Sequence, residues 1–234
     1  MHTVAAVVPV LNEARGIGDF LAAIAAHDFA EIIIVDGGSG DATRQVIETF
    51  RDQARDPRIA PVSSERGRAR QMNAGARRAT SDILVFLHAD TRLPPEAVSV
   101  VRRAIDGGKD WGRFDVRFDS RHPFLHVVAN FMGWRSRLTG ICTGDQAIFI
   151  RCDVFERAGG YADIALMEDI DLSRRLKRTG RPARVAAPVT TSARRWREQG
   201  ILRTIVQMWR LRLMYFRGAS PVLLAAQYAD IRER

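Results

Sequence analysis

Short apolar runs alternate with amphipathic stretches through the first half of the chain. Residues 3–10 (TVAAVVPV), 31–35 (EIIIV), 58–62 and 83–87 (ILVFL) read as strands. Between them, residues 16–26, 41–51, 66–79 and 94–105 place apolar side chains at helical spacing. The second helix opens on Asp41 and the fourth on two prolines, both good helix starts. Strands that are apolar on both faces need cover on both faces, so the pattern predicts an α/β fold. Its central sheet is mostly parallel and flanked by helices. The second half is mixed, with strands near 113–119, 146–150 and 183–187 and helices near 153–158, 169–179 and 198–217. No repeat, low-complexity tract or linker interrupts it. The expected organisation is one α/β domain over residues 1–197 and a basic amphipathic helical tail over residues 198–234.

In an open parallel sheet, ligands bind beyond the carboxyl ends of the strands. Polar groups gather there in this chain. Pro9 to Glu13 follow the first strand, Asp36-Gly37-Gly38-Ser39 the second, and His88-Ala89-Asp90 the fourth. Asp36 could accept hydrogen bonds from a base or ribose, or simply hold a tight turn. If the backbone stays extended through residue 90, His88 and Asp90 share one side and could face one ligand. A carboxylate there could hold a divalent cation on phosphate oxygens, or cap the next helix. Glu168 and Asp169 open a helix, where acids are favoured by the dipole and where a general base could also sit. Arg66 and Arg70 share a helical face if residues 66–70 are helical. Arg195 and Trp196 suit a phosphate clamp and a stacking surface, or a loop anchored by a buried ring. His122 and His126 have helical metal-pair spacing, but Pro123 between them favours a structural role. No GxGxxG or GxxxxGK[ST] motif is present.

Charge adds one asymmetry. The net charge of the 234 residues is +9, yet residues 1–171 hold 21 Lys+Arg against 24 Asp+Glu. Residues 172–234 hold 15 against 3, so the basic excess belongs to the last quarter. In residues 201–217 (ILRTIVQMWRLRLMYFR), Arg203, Arg210 and Arg217 repeat every seven positions beside Trp, Tyr and Phe. That suits an anionic membrane surface, or packing on the domain or a second subunit. No apolar stretch reaches the roughly 20 residues that span a bilayer. The first residues lack the basic region and cleavage site of a secretory signal. Cys142 and Cys152, with no CxxC, fit a reducing compartment. A cytoplasmic protein, peripheral on the inner membrane face, is expected.

Seven segments in order carry a resemblance: VVPVLNE at 7–13, IIVDGGSGDAT at 33–43, RARQMNAG at 68–75, VFLHADT at 85–91, TGDQAIFIR at 143–151, EDIDLSRRLKRTG at 168–180 and ARRW at 193–196. Together they resemble the family-2 glycosyltransferases of GT-A fold, in particular a bacterial subgroup described as radical-SAM- or selenodomain-associated. The resemblance implies inverting transfer of a sugar from a nucleotide-diphosphate sugar to a hydroxyl acceptor. Pro9, Glu13 and Asp36 would hold the nucleoside, and Arg68 and Gln71 the diphosphate or base. Asp90, with His88, would bind Mn²⁺ or Mg²⁺. Asp145 and Gln146 would face the sugar and acceptor, Asp169 would be the general base, and Arg195 and Trp196 would match a QxxRW element. Three positions depart from the pattern: Gly37 where a second Asp is usual, His88 where a DxD begins, and Ser192 for the Gln.

A sugar-phosphate nucleotidyltransferase would share the architecture but usually opens on a Gly-rich basic loop, which PVLNEARG is not. A non-catalytic sugar-nucleotide binder is the other alternative, given His88. The net acidic residues 1–171 argue against nucleic acid as a partner.

Overall fold

A computed structural model describes residues 1–229. The last five residues of the expected tail, 230–234, lie outside the described residues. The first strands and helices fall close to the expected spans: β1 (Val4–Val10), α1 (Ile17–Ala25), β2 (Glu31–Asp36), α2 (Thr43–Ala54), β3 (Ile59–Ser63), α3 (Arg68–Arg78), β4 (Ile83–Phe86), β5 (Thr91–Arg92) and α4 (Ala97–Asp106). The second half runs β6 (Trp111–Phe118), α5 (Pro123–Thr139), a 3-10 turn (Gly144–Gln146), β7 (Phe149–Arg151), α6 (Cys152–Arg157), α7 (Glu168–Leu176), β8 (Ala183–Thr191), α8 (Arg194–Gln199), α9 (Ile201–Phe216) and α10 (Pro221–Ala229).

One eight-stranded sheet has the order β3-β2-β1-β4-β7-β6-β8-β5. Pairs β1–β2, β2–β3, β1–β4 and β6–β8 are parallel; β4–β7, β6–β7 and β5–β8 are antiparallel. Strand alternation divides the core. Val4, Ala6, Val8 and Val10 pack with α1, α2 and α4, whereas Ala5 and Val7 pack with α3, α6 and α7. This is the two-faced burial that the unbroken apolar runs require.

The C-terminal helix expected near 198–217 is present as α9, and a short separate helix, α8, precedes it. Gly200, at φ +82, ends α8 and starts α9. Leu211 of α9 and Leu224 of α10 are buried against Met167 and Ile170, so the inner sides of these helices dock on the domain. Helix α10 lies within the expected helical tail, whereas α5 was not expected. α5 buries only Leu125, Ala129 and Ser136. Its larger apolar side chains, Phe124, Val127, Phe131, Trp134 and Leu138, all point outward. They recur every three or four residues, so a helical period was present, but its apolar stripe faces away from the core.

Candidate active site

The carboxyl ends of β1, β2 and β4, the N-termini of α3 and α7, and the 3-10 turn converge on one region. At the β1–β2 end, the Asn12 N–H donates to Ser39 Oγ at 2.9 Å, and the Gly40 N–H donates to Asn12 Oδ1 at 2.9 Å. The Glu13 N–H donates to Thr43 Oγ1 at 2.8 Å, while the Glu13 carbonyl accepts from the start of α1. Asp36 is buried and accepts from the N–H groups of Gly38 and Ser39 and from the Ser39 hydroxyl, with Arg44 Nε at 3.9 Å. Its carboxylate therefore shapes the turn as well as lying at the expected strand end. Pro9 sits half-buried on β1, in register with Val35.

Gln71 explains Gly37. The Gln71 side chain is buried, and its Nε2 donates to the carbonyls of Val10 and Val35, each at 2.8 Å. A Cβ on Gly37 would meet that carboxamide at 2.8 Å. Gln71 was expected to face a diphosphate or base. It instead clamps the ends of β1 and β2 from below, its amide group joining the Val35 carbonyl to the Val10 carbonyl, which also accepts from the Gly37 N–H at 3.0 Å. Substituting Gly37→Ala should cost about 1–3 kcal/mol by overpacking. In Gly37→Ala/Gln71→Ala the clash is gone, so thermal denaturation should show strong non-additivity between the two changes. Additive losses would separate the two positions.

β4 stops at Phe86, and residues 88–91 form a turn closed by the Thr91 N–H on the His88 carbonyl at 3.0 Å. The extended geometry expected to align His88 with Asp90 is therefore absent. His88 turns inward, its Nδ1 3.5 Å from Asp145 Oδ1 and its Nε2 against the backbone of Gly144. Asp90 points outward and exposed, with no hydrogen bond or ion pair among the described residues. A lone accessible carboxylate fits a Mg²⁺ or Mn²⁺ ion that takes its remaining oxygens from a diphosphate and water. The described residues contain no cluster of three metal-ligating side chains.

The 3-10 turn joins this strand end to α7. Burial alone would push the Asp145 carboxyl up, but the hydrogen bond and charge of His88 hold it at about 2. The next residue, Gln146, was expected to face substrate and is fully buried instead. Its Oε1 accepts from Ser136 Oγ at 2.9 Å and from the Thr143 N–H at 3.1 Å, closing the turn onto α5. Across the turn, the Gly144 N–H donates to Asp169 Oδ2 at 2.8 Å, and the Ile170 N–H donates to Asp169 Oδ1 at 2.7 Å. Burial raises the Asp169 pKa, against the pull of those two N–H groups. Glu168 is also raised, by burial and then by the neighbouring Asp169 charge, with Arg68 Nη1 3.7 Å from its Oε1. Three of the four non-glycine residues with positive φ flank this region: Asn12, Ala147 and Met167. Strained backbone of this kind is held in place by its surroundings and clusters at functional sites.

Other expected contacts fall elsewhere. α3 begins at Arg68, leaving Arg66 outside it, and Arg70 is paired with Asp163 and Glu65 at the surface. Trp196 packs edge-on against Phe118, ring centroids 5.4 Å apart, in a small cluster with α5. Arg195 stacks on and hydrogen-bonds Tyr228 of α10. Its charge is also felt by Asp145. Arg135 of α5 was missed. Its Nε and Nη2 are buried without a hydrogen-bond partner among the described residues. Burial lowers its pKa, offset in part by the charges of Asp169 and Asp145. Asp115, a nearby carboxylate on β6, is already shared by Arg113 and Arg184. Only the tertiary packing of α5 against β6 distinguishes Arg135 from the many other arginines.

A half-parallel, half-mixed sheet with acidic turns at its strand ends and a carboxylate pair opening a later helix defines the GT-A class of glycosyltransferase fold. The profile described as "Glycosyl transferase family 2" matches residues 5–158, and the chain belongs to that family. A relative, the undecaprenyl-phosphate 4-deoxy-4-formamido-L-arabinose transferase of Pseudomonas fluorescens (strain Pf0-1), is 31% identical over 42% of this chain and 31% of its own length. The chain thus spans about a third of that relative. Among solved structures, S. aureus TarS 1–349 in complex with UDP-GlcNAc superposes with TM-score 0.65 at 16% identity, over 81% of this chain and 58% of that one. The mannosyltransferase PcManGT from Pyrobaculum calidifontis, in complex with GDP-Man and Mn²⁺, gives TM-score 0.63 at 23% identity, over 89% and 64%. At these identities the two structures establish the shared fold.

Proposed function

We propose that the protein is a metal-assisted, inverting glycosyltransferase that moves a sugar from a nucleoside-diphosphate sugar to a hydroxyl oxygen of a lipid-linked acceptor. The observation that carries this is the convergence of Asp145 and Asp169 on one turn beside the Asp90 strand end, in a family-2 chain. The nucleoside lies over the β1–β2 ends near Pro9, Glu13 and Asp36, on a floor held by Gln71. Arg68 sits near the diphosphate, and Asp90 supplies the carboxylate that holds Mn²⁺ or Mg²⁺. That cation, when bound, offsets the charge of the departing diphosphate. His88 keeps Asp145 ionised and aimed across the turn. Asp169 takes the proton of the acceptor hydroxyl as its oxygen bonds to the anomeric carbon and the nucleoside diphosphate leaves. One base and one displacement give inversion without a covalent intermediate. Arg195 adds positive charge near Asp145, and Trp196 anchors α8 on Phe118.

The lipid-linked acceptor is supported by the similarity to the Pseudomonas transferase, which is named for undecaprenyl phosphate. None of the helices among the described residues is long and apolar enough to cross a membrane, which leaves a peripheral position on the inner membrane face as the proposed location.

UDP-, GDP-, dTDP- and CDP-sugars, each with Mn²⁺ or Mg²⁺ and a polyprenyl-linked sugar acceptor that carries free hydroxyls, test the proposal by product analysis. Release of nucleoside diphosphate with a new glycolipid is expected. Release of pyrophosphate would identify a nucleotidyltransferase, and nucleotide binding without turnover would identify a sugar-nucleotide binder.

A further inference from the structure

Among the described residues, every large apolar side chain that is exposed, apart from Met1, lies on α5, α9 or α10. On α9 these are Leu202, Val206, Trp209, Leu213 and Phe216, which recur every three or four residues and so form one stripe. The outward stripe of α5 is its neighbour, since the Phe131 ring lies 5.6 Å from that of Trp209 and 5.8 Å from that of Trp134. Trp134 and Trp209 are each 56% exposed. Soluble monomers rarely leave a continuous apolar surface of this extent in water. Arg203, Arg210 and Arg217 each follow an exposed apolar residue of the α9 stripe and are themselves exposed. Residues 120–144 and 200–229 hold no Asp or Glu, and five of their arginines, Arg121, Arg137, Arg203, Arg210 and Arg217, are exposed.

We propose that the outer faces of α5 and α9 form a single surface that docks on an anionic lipid bilayer. It takes tryptophan and leucine into the headgroup boundary and sets arginine against lipid phosphate. The charge selects this occupant: a second copy of the chain would bring one acid-free, arginine-rich face against another, whereas an anionic bilayer is complementary to it. The surface also adjoins the site. The inner side of α5 carries Ser136, bonded to Gln146 of the 3-10 turn, and Arg135, whose charge reaches Asp169. An acceptor held in the membrane would thus meet the site along α5. The inference rests on the lipid-linked acceptor proposed above for its purpose, and on the exposed stripes alone for its existence.

Cosedimentation of the full chain with phosphatidylcholine vesicles, with and without phosphatidylglycerol, tests it. The protein is expected to pellet with the anionic vesicles at low salt and far less with the neutral ones. Trp134→Ser/Trp209→Ser should weaken that binding by ~10-fold or more. Arg203→Glu/Arg210→Glu should abolish the preference for anionic lipid. Nucleotide-induced thermal stabilisation, unchanged in both variants, checks that the domain is folded. Unchanged vesicle binding in the Trp variant, or no binding by the unaltered protein, would overturn the proposal. So would a dimer in sedimentation velocity that the same Trp changes convert to monomer. Vesicle binding without any nucleotide binding would uphold the docking surface and remove the transferase proposal instead.

Discussion

Replacing Asp169 with asparagine should lower sugar transfer by roughly 10²–10⁴-fold, the usual scale for removing a general base. The carboxamide keeps the shape, but its single oxygen can accept from only one of the Gly144 and Ile170 N–H groups, and it cannot take the acceptor proton. Nucleotide-induced thermal stabilisation should survive, because donor binding is assigned to the other strand ends. Turnover near that of the unaltered enzyme would remove Asp169 from the chemistry. The pH profile gives an independent check. Burial holds the Asp169 carboxyl above its ordinary range, and only the ionised form can act as base. Activity should therefore fall on the acid side at a higher pH than a free aspartate would dictate. Asp169 favours the charged form of Arg135, so by reciprocity Arg135 favours the Asp169 carboxylate. Arg135→Gln should move the acid limb to still higher pH, whereas a merely structural loss would lower the whole profile without moving the limb.

The second large effect is expected at Asp90. Asp90→Ala should reduce transfer by about 10²–10³-fold, the scale of losing one group that stabilises developing negative charge. Because Asp90 is exposed and makes no contact among the described residues, the change should leave the melting temperature of the free protein nearly unaltered. The discriminating measurement is the extra thermal stabilisation that Mn²⁺ or Mg²⁺ adds to that of the nucleoside diphosphate. It should be present in the unaltered protein, be removed by chelator, and be missing in Asp90→Ala. Metal-dependent stabilisation that persists in the variant would place the cation on other ligands.

Several motif positions have roles that spacing could not distinguish. Gln71 and Gln146 stand in segments expected to face ligand, yet both are buried and hold backbone together. Gln71 reaches carbonyls 61 and 36 positions away, contacts that depend on how closely α3 lies against β1 and β2. His88 and Asp90 looked like one ligand set because an extended chain would align them. The turn after Phe86 sends one toward Asp145 and the other to solvent. Gly37, a departure from the family pattern, becomes intelligible only beside the Gln71 carboxamide.

The alternation of apolar runs and amphipathic stretches, read along the chain, was enough to establish the layered α/β architecture and the end of the sheet where polar groups collect, because burial of each segment is a local property of its own residues. Which of those polar groups face a ligand, which brace the backbone, and that α5 and α9 lay their apolar stripes side by side were decided by packing between segments far apart in sequence. A side chain's partners depend on the distance and angle between elements, and no local pattern encodes these.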